Sequence, residues 1–488
     1  MSIRWSVPAA SPSMRTRRVP ATPSLVARSS PSTRRRTVAS TGPVAPWTVS
    51  ESVTLDSVTP KTSGSRISSF MSDPYHGAPS SVDAVPERVA ARRRRSIESG
   101  AMDLTFSPAA EAFRVELRTW LRENVPAGYG TDSFPEFESQ DEEVVFFRKW
   151  QARLAEARWV GAHWPAEYGG RGAGPEEHYV LQEEMAAARA PEVINRIGVN
   201  LVGPSLMAHG TEAQRRRYLA RILSAEDLWC QLFSEPGAGS DLTSLTTRAE
   251  IDGDHFVVTG QKVWTSWAQY ADYGILIART DPSQRGARGI SYMIVDMRSP
   301  GVEVRPLRQL TGTSEFNEVF LEGVRVPREN LVGELHAGWT IAQTTLAHER
   351  GTSPRQLVIH RILLEDMLRL AAVRGADAAM RQRIAQFAIE VEVTKLNNWR
   401  TLTRLVRGDK LGPESSFIKL YWSDMSQRMH DVVMDLLGPA GILDGGPYSV
   451  ARGRLLRSYL YYRAASIFAG TNEVQRNIIA QRVLGLPR

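Results

Sequence analysis

The residues with the most chemical promise sit in one eleven-residue string, Gln231-Leu232-Phe233-Ser234-Glu235-Pro236-Gly237-Ala238-Gly239-Ser240-Asp241. Its hydroxyls and main-chain N–H groups can hold phosphates or the polar edge of a ring. A Gly-rich loop is a weak signal alone, since any surface turn collects Gly and Ser; the whole string is far more specific. Other reactive groups are sparse. Cys230 is the only cysteine, which excludes disulfides within the chain and Cys-rich metal sites and suits a reducing compartment. His348, His360 and His430 belong to no recognisable motif and read as packing or surface residues rather than bases.

The string opens a stretch of strand texture, residues 228–335. Runs at 255–259, 262–266, 273–278, 291–296, 319–321 and 324–326 are β-rich and broken by Gly260, the 281–289 loop and Pro300. The stretch is too short for a Rossmann unit and lacks alternating helices, so a small antiparallel β domain is expected. Helical periodicity flanks it on both sides. In residues 102–227, Phe113, Leu117, Trp120 and Leu121 recur at helix spacing, as do Val145, Trp150 and Leu154. Thr211-Glu212-Ala213-Gln214 fits a capping box. In residues 336–488, helices are expected at 338–350, 354–373, 380–407, 413–437 and 470–483, forming a domain like a four-helix bundle. The fold class is α+β, mainly α, with no internal repeat.

Residues 1–101 are different. They are rich in Ser, Pro, Thr and Arg, show no apolar period, and cannot bury enough surface to offset their ordering entropy. They hold 15 Lys or Arg against 6 Asp or Glu, while the remainder holds 45 against 47. The basic character is confined to this leader, so the net charge of +7 is no argument for nucleic-acid binding. Disorder and an organellar transit peptide are two readings of it. The favoured one takes Met102 as the true start, because patterned sequence begins there: Ser107-Pro108 reads as an N-cap followed by Pro at the first helical position. No stretch reaches the ~18 apolar residues a membrane helix needs.

The eleven-residue string resembles the flavin- and thioester-binding signature of the acyl-CoA dehydrogenase family, and the resemblance runs in order through residues 102–488. Trp164-Pro165, Tyr168-Gly169-Gly170 and His209-Gly210-Thr211-Glu212 match the family's N-terminal helical domain. Gly260-Gln261-Lys262-Val263-Trp264-Thr265-Ser266 is similar to its second flavin-contacting strand, and Gly333 with Gly338-Trp339 to its hinge. Gly470-Thr471-Asn472-Glu473-Val474-Gln475-Arg476-Asn477 matches the helix start under the flavin. The resemblance implies FAD as cofactor. Gln231, Phe233, Ser234, Gly239 and Ser240 would line its ring and pyrophosphate, with Ser240 and Gly470 also near the thioester. Trp264 would pack against the flavin and Ser266 would hydrogen-bond toward its N5 side. Thr471 and Glu473 would reach the dinucleotide from a helix N-terminus, which favours anions. Asp435 and Gly438 would reach the adenosine half across a subunit boundary, implying a homodimer or homotetramer. An electron-transfer flavoprotein would be the electron acceptor.

Two departures matter. The family's usual base is a Glu just before the pair that here is Gly470-Thr471, and this chain has Ala469. In isovaleryl- and long-chain-type members the Glu stands on another helix, directly before an Arg, and here Ala347-His348-Glu349-Arg350 matches. The resemblance therefore implies Glu349 as base and Arg350 as its companion near the thioester, acting in Cα–Cβ desaturation of an acyl-CoA. The second departure is Leu370-Ala-Ala-Val-Arg-Gly375, where the family usually has Arg-x-x-Phe-Gly. It leaves open an accessory subunit of a mixed complex, and the fold leaves open a flavin oxidase or oxygenase. Acyl chain length and branching are not legible. Abundant Ala, and Arg far in excess of Lys, point to a bacterial cytoplasm.

Overall fold

The computed structural model describes residues 105–348, 353–409, 412–413 and 415–487. The leader, Glu349 and Arg350 lie outside the described residues.

The first lobe is helical because its caps and apolar stripes agree. Ser107 caps α1 (Pro108–Asn124), its hydroxyl accepting the Ala110 N–H at 3.2 Å, and Pro108 sits where a missing N–H costs nothing. With α2 (Gln140–Glu156) it buries Leu117, Leu121, Trp150 and Leu154 against Trp159 and Trp164. Val145, expected on this stripe, is 51% exposed; its neighbour Val144 is the buried one, in phase with Gln151 and Leu154. α3 (Pro175–Ala187) and α4 (Gly203–His209) follow. A Cβ on Gly203 would lie 2.1 Å from the Trp164 ring, so the helix can seat on the indole only without a side chain there.

The capping box at α5 (Glu212–Ser224) is present: the Thr211 hydroxyl accepts the Gln214 N–H, and Gln214 Oε1 accepts the Thr211 N–H at 3.0 Å. The same amide donates to the Glu329 and Leu331 carbonyls, both at 2.9 Å, docking the helical lobe on the sheet. Asn195 makes the second weld, donating to the Ile222 and Asp227 carbonyls and accepting the Trp229 N–H.

Among the described residues the sheet has eight strands: β1 (Trp229–Leu232), β2 (Arg248–Asp252), β3 (His255–Ser266), β4 (Tyr273–Arg279), β5 (Ile290–Asp296), β6 (Val302–Leu307), β7 (Phe316–Pro327) and β8 (Leu331–Val332). Their order is β6-β7-β3-β2-β4-β5-β8. Pairing is antiparallel except that β1 runs parallel to β4, as does a single β2–β4 bridge. Alternate residues of β4 and β5 feed two separate cores. Ile275, Ile277, Tyr292 and Ile294 face the helical lobe; Leu276, Ala278, Met293 and Val295 face the opposite core. The strands β2 and β6 were not expected. They are mostly exposed and polar, Arg-Ala-Glu-Ile-Asp and Val-Glu-Val-Arg-Pro-Leu, and pairing alone makes them strands.

The last lobe holds α6 (Gly338–His348), α7 (Pro354–Arg374), α8 (Ala378–Val406), α9 (Ser415–Leu437), α10 (Arg454–Tyr462) and α11 (Asn472–Ile478). Its core of Leu357, Met367, Phe387, Met425, Met429 and Val433 lies among α7, α8 and α9. His430 is sealed against it, stacked on Tyr462 with ring centroids 4.8 Å apart. Its Nδ1 lies 2.7 Å from the Ser426 carbonyl and its Nε2 2.7 Å from the Ser458 hydroxyl, which fits a neutral ring protonated on Nδ1.

Burial pushes the His430 imidazole down to about 4, and burial beside His430 pushes His360 down to about 3. These rings stay neutral in the fold, whereas the unfolded chain takes up protons near the ordinary pKa of about 6.5. Stability is therefore lost as pH falls below about 6.5, by about 2 kcal/mol per ring at pH ~5. Denaturant midpoints measured between these pH values should fall accordingly, and less steeply in His430→Gln.

Candidate active site

The Gly-rich string leaves β1 at Leu232 and is tied down from beneath by one cation. Lys262, fully buried on β3, donates from Nζ to the Phe233 carbonyl at 3.0 Å, the Ile277 carbonyl at 3.0 Å and Glu235 Oε1 at 2.9 Å. Glu235 also accepts the N–H groups of Thr246 and Thr247 and the Thr246 hydroxyl, at 2.7–2.9 Å. Burial pushes the Glu235 carboxyl up, but Lys262 and these donors pull it down to about 2; burial pushes Lys262 down to about 8 against the pull of Glu235. The pair stays ionised at neutral pH, with all three ammonium protons placed.

With its root fixed, the string turns outward. Glu235 and Ala238 exchange backbone hydrogen bonds at 3.0 and 3.1 Å, and the Ser234 carbonyl accepts the Val263 N–H at 2.9 Å. Phe233 is buried, Gln231 and Ser234 are half-buried, and Gly239 and Ser240 are exposed. Among the described residues other than the immediate chain neighbours, no atom lies within 4 Å of a Cβ built on Gly237 or Gly239.

Beside the string, β3 is bulged. Its pairing with β7 shifts register between Lys262 and Thr265, and Trp264 takes a left-handed φ of 59°. Such a bulge re-aims a side chain, and a bulky residue in this conformation stores strain. The outcome is an indole 62% exposed, steadied edge-on by Phe316 with centroids 6.1 Å apart. Ser266, two residues on, is half-buried and pairs with Phe316.

The third component is the start of α11. Ala469 and Gly470 have φ of 53° and 81°, and Thr471 caps the helix by accepting the Val474 N–H. Buried Gln475 reaches back to the Ala469 and Gly470 carbonyls at 3.1 and 3.3 Å, and a Cβ on Gly470 would strike its amide at 2.7 Å. From below, Lys419 and Ser423 both donate to Asn472 Oδ1 at 3.0 Å. Burial pushes Lys419 down to about 8, opposed by Glu473. Glu473 is exposed; its own helix-start N–H and the Thr471 hydroxyl hold its carboxyl below the usual range. The N–H groups of Ala469 and Gly470 have no hydrogen-bond acceptor among the described residues.

Asp435 and Gly438 stand apart from these components, at the end of α9. Asp435 accepts from Arg383 at 2.8 Å, and Arg374 donates to the neighbouring Leu437 carbonyl at 3.0 Å.

One cluster had no sequence signal. Glu192 accepts Arg196 Nη1 at 2.9 Å and also accepts a hydrogen bond from Arg355 Nη2, across 163 residues. Glu192 and Arg196 stand four apart in sequence, and nothing in that spacing points to Arg355. Among the described residues, no group of His, Cys, Asp or Glu could hold a metal ion.

Three family models match the chain in succession: the acyl-CoA dehydrogenase N-terminal domain at 107–226, the middle domain at 230–324 and the C-terminal domain at 336–484. The chain belongs to the acyl-CoA dehydrogenase family, an oxidoreductase family of FAD flavoproteins. It is 38% identical to acyl-CoA dehydrogenase IpdE1 of Mycobacterium tuberculosis over 383 residues, covering 78% of this chain and 98% of that one. Among solved structures it resembles the Tcur3481-Tcur3483 steroid ACAD (33% identity, TM-score 0.69, 79% of this chain and 100% of that one). It also resembles the ChsE4-ChsE5 complex of Mycobacterium tuberculosis (32% identity, TM-score 0.68, the same coverage).

The residues present fit a flavin: an exposed indole for a ring face, open space over Gly237 and Gly239, and free N–H groups at 469–470. Lys262→Met would strand the buried Glu235 charge, which costs about 3–5 kcal/mol. We expect this variant to show a lower melting temperature and a lower ratio of flavin absorbance to protein. The double variant Lys262→Met/Glu235→Gln should recover part of the stability.

Proposed function

We propose that this chain desaturates an acyl-CoA thioester across Cα–Cβ, with Glu349 as the base. The observation that carries the assignment is Ala469: a methyl side chain stands where the family's usual base would, while Ala347-His348-Glu349-Arg350 supplies a carboxylate in the family's alternative position. The Glu349 carboxylate takes the Cα proton, and Arg350 is its companion beside the thioester. The free N–H of Ala469 receives the thioester carbonyl, lowering the cost of the developing enolate charge without needing a side chain. When bound, FAD would supply the redox chemistry that removes the Cβ hydrogen.

Gln231, Phe233, Ser234, Gly239 and Ser240 would hold its ring and pyrophosphate, and Ser240 would also meet the pantetheine arm. Trp264 would pack against the ring and Ser266 would hydrogen-bond toward its N5 side. Thr471 and Glu473 would contact the dinucleotide, with Gly470 near the thioester. Asp435 and Gly438 serve the adenosine half in a neighbouring subunit, which makes the working form a dimer or tetramer. An electron-transfer flavoprotein removes the electrons. No described helix is long and apolar enough to cross a membrane, and we place the reaction in the cytoplasm.

The resemblance to the Tcur3481-Tcur3483 steroid ACAD favours a bulky, ring-bearing acyl group over a straight fatty chain. A second reading, a mixed complex with a related subunit, is favoured by Leu370–Gly375, which lacks the family's Phe-Gly, and by the resemblance to the ChsE4-ChsE5 complex.

Glu349→Gln keeps the shape and removes the base. Anaerobic bleaching of the flavin absorbance by acyl-CoA should slow at least about 10²-fold, the lower end of a general base's contribution, with flavin still bound. Unchanged bleaching would overturn the assignment of Glu349.

A further inference from the structure

Lys419 stands where stability alone would not put a cation. On α9 it is 9% exposed, and of its three ammonium protons the described residues accept one, at Asn472 Oδ1, 3.0 Å away. Buried Lys262, by contrast, has protein acceptors for all three. Burial pushes the Lys419 ammonium down to about 8, opposed by the exposed Glu473. A buried charge with unmet hydrogen bonds costs stability, and an apolar side chain of similar volume in its place is often neutral or stabilising. Nor does Asn472 depend on Lys419 for a partner. Ser423 Oγ also reaches Asn472 Oδ1 at 3.0 Å, although its single proton is divided with the Leu420 carbonyl at 3.2 Å. Lys419 is the undivided donor, and the fold keeps it at a cost.

What Asn472 anchors gives the reason. It is buried, and it is the first residue of α11, two positions after Gly470. The turn before it is held unevenly. Gln475 fixes the Ala469 and Gly470 carbonyls. Upstream, Ile467 is mostly exposed, and the Phe468 ring meets Trp422 and Tyr461 at 6.3 and 6.1 Å between centroids. Toward α9, the tie is the Asn472 oxygen. Ala469 carries a Cβ in the left-handed region, at φ 53°, so the turn relaxes if that tie slackens. The N–H groups of Ala469 and Gly470 lie in rigid peptide planes and turn with it.

We propose that Lys419 is a positioning residue: through Asn472 it holds the Ala469–Gly470 turn so that both main-chain N–H groups stay aimed where the thioester carbonyl is received. This rests on the dehydrogenase reading above and deepens it by adding a residue that acts through the turn bearing the donors. The physical reason is preorganisation. Donors fixed before charge develops stabilise it without reorganising, and a small misplacement loses much of that effect. Lys419 lowers stability and raises rate, an opposition common at functional sites.

The test compares the flavin-loaded wild type with Lys419→Met and Lys419→Arg, using octanoyl-CoA and 3-cyclohexylpropanoyl-CoA. Lys419→Met should melt no lower than the wild type and keep its flavin. Hydrogen–deuterium exchange over residues 466–478 should quicken by about 10-fold or more. The limiting rate of flavin bleaching should fall by about 10- to 100-fold, while the thioester concentration giving half that rate stays within about 2-fold. Lys419→Arg, which keeps a charged donor, should restore both exchange and rate in part. Unchanged exchange in the turn of Lys419→Met, or faster exchange with an unchanged bleaching rate, would overturn the assignment. A fall in rate matched by a lower melting temperature and faster exchange throughout the chain would also overturn it, because that pattern marks general loosening. These results leave the dehydrogenase reading standing. A wild type whose flavin neither thioester bleaches overturns both, and is told apart because bleaching is then absent before any substitution.

Discussion

One buried ion pair governs the geometry of the site. Lys262 and Glu235 are fully or nearly fully buried, and every charged hydrogen-bonding position on them is used. A buried pair of this kind adds little net stability over an apolar packing of equal volume, because desolvation cancels most of the attraction. What it supplies is direction. An ammonium with three fixed acceptors sets the height of the Phe233 carbonyl over the sheet, and a carboxylate with fixed donors sets where the Gly-rich turn can begin. The Ser234–Val263 hydrogen bond carries that constraint to the next strand, where the register slips and Trp264 swings outward. Loop and indole are therefore placed by one root.

The start of α11 answers the same need by different means. Two consecutive left-handed residues cost strain, about 1 kcal/mol or more for a residue with a Cβ. Gln475 above and Lys419 with Ser423 below hold the turn in that conformation. The turn leaves the backbone N–H groups of 469 and 470 without an acceptor among the described residues, and preorganised donors of this kind suit a polarised carbonyl. The turn keeps this value whatever the side chain at 469, so a base on another helix is compatible with it.

The charged cluster at Glu192 joins segments that lie far apart in the chain. Glu192, Arg196 and Arg355 come from two lobes, and a third supplies Glu315, so the cluster forms only when all three lobes are docked. Docking depends on polar welds such as Gln214 and Asn195, each satisfying backbone groups of the neighbouring sheet.

By itself, the sequence determined whatever depends on near neighbours. Ser107 and Thr211 cap helices because a hydroxyl reaches an N–H three residues on. Long periodic helices and the apolar strands β3, β4, β5 and β7 followed from patterning, and the Gly-rich string, read whole, carried the resemblance to the family. Only the tertiary structure decided the rest. It made strands of the polar segments at 248–252 and 302–307 by giving them partners, and it buried Val144 rather than Val145 through the phase of α2. It also matched Lys262 to a carboxylate 27 residues earlier and Arg355 to one 163 residues earlier. Contacts at such separations rest on the packing of whole lobes, and no local propensity encodes which charges will meet once that packing excludes water.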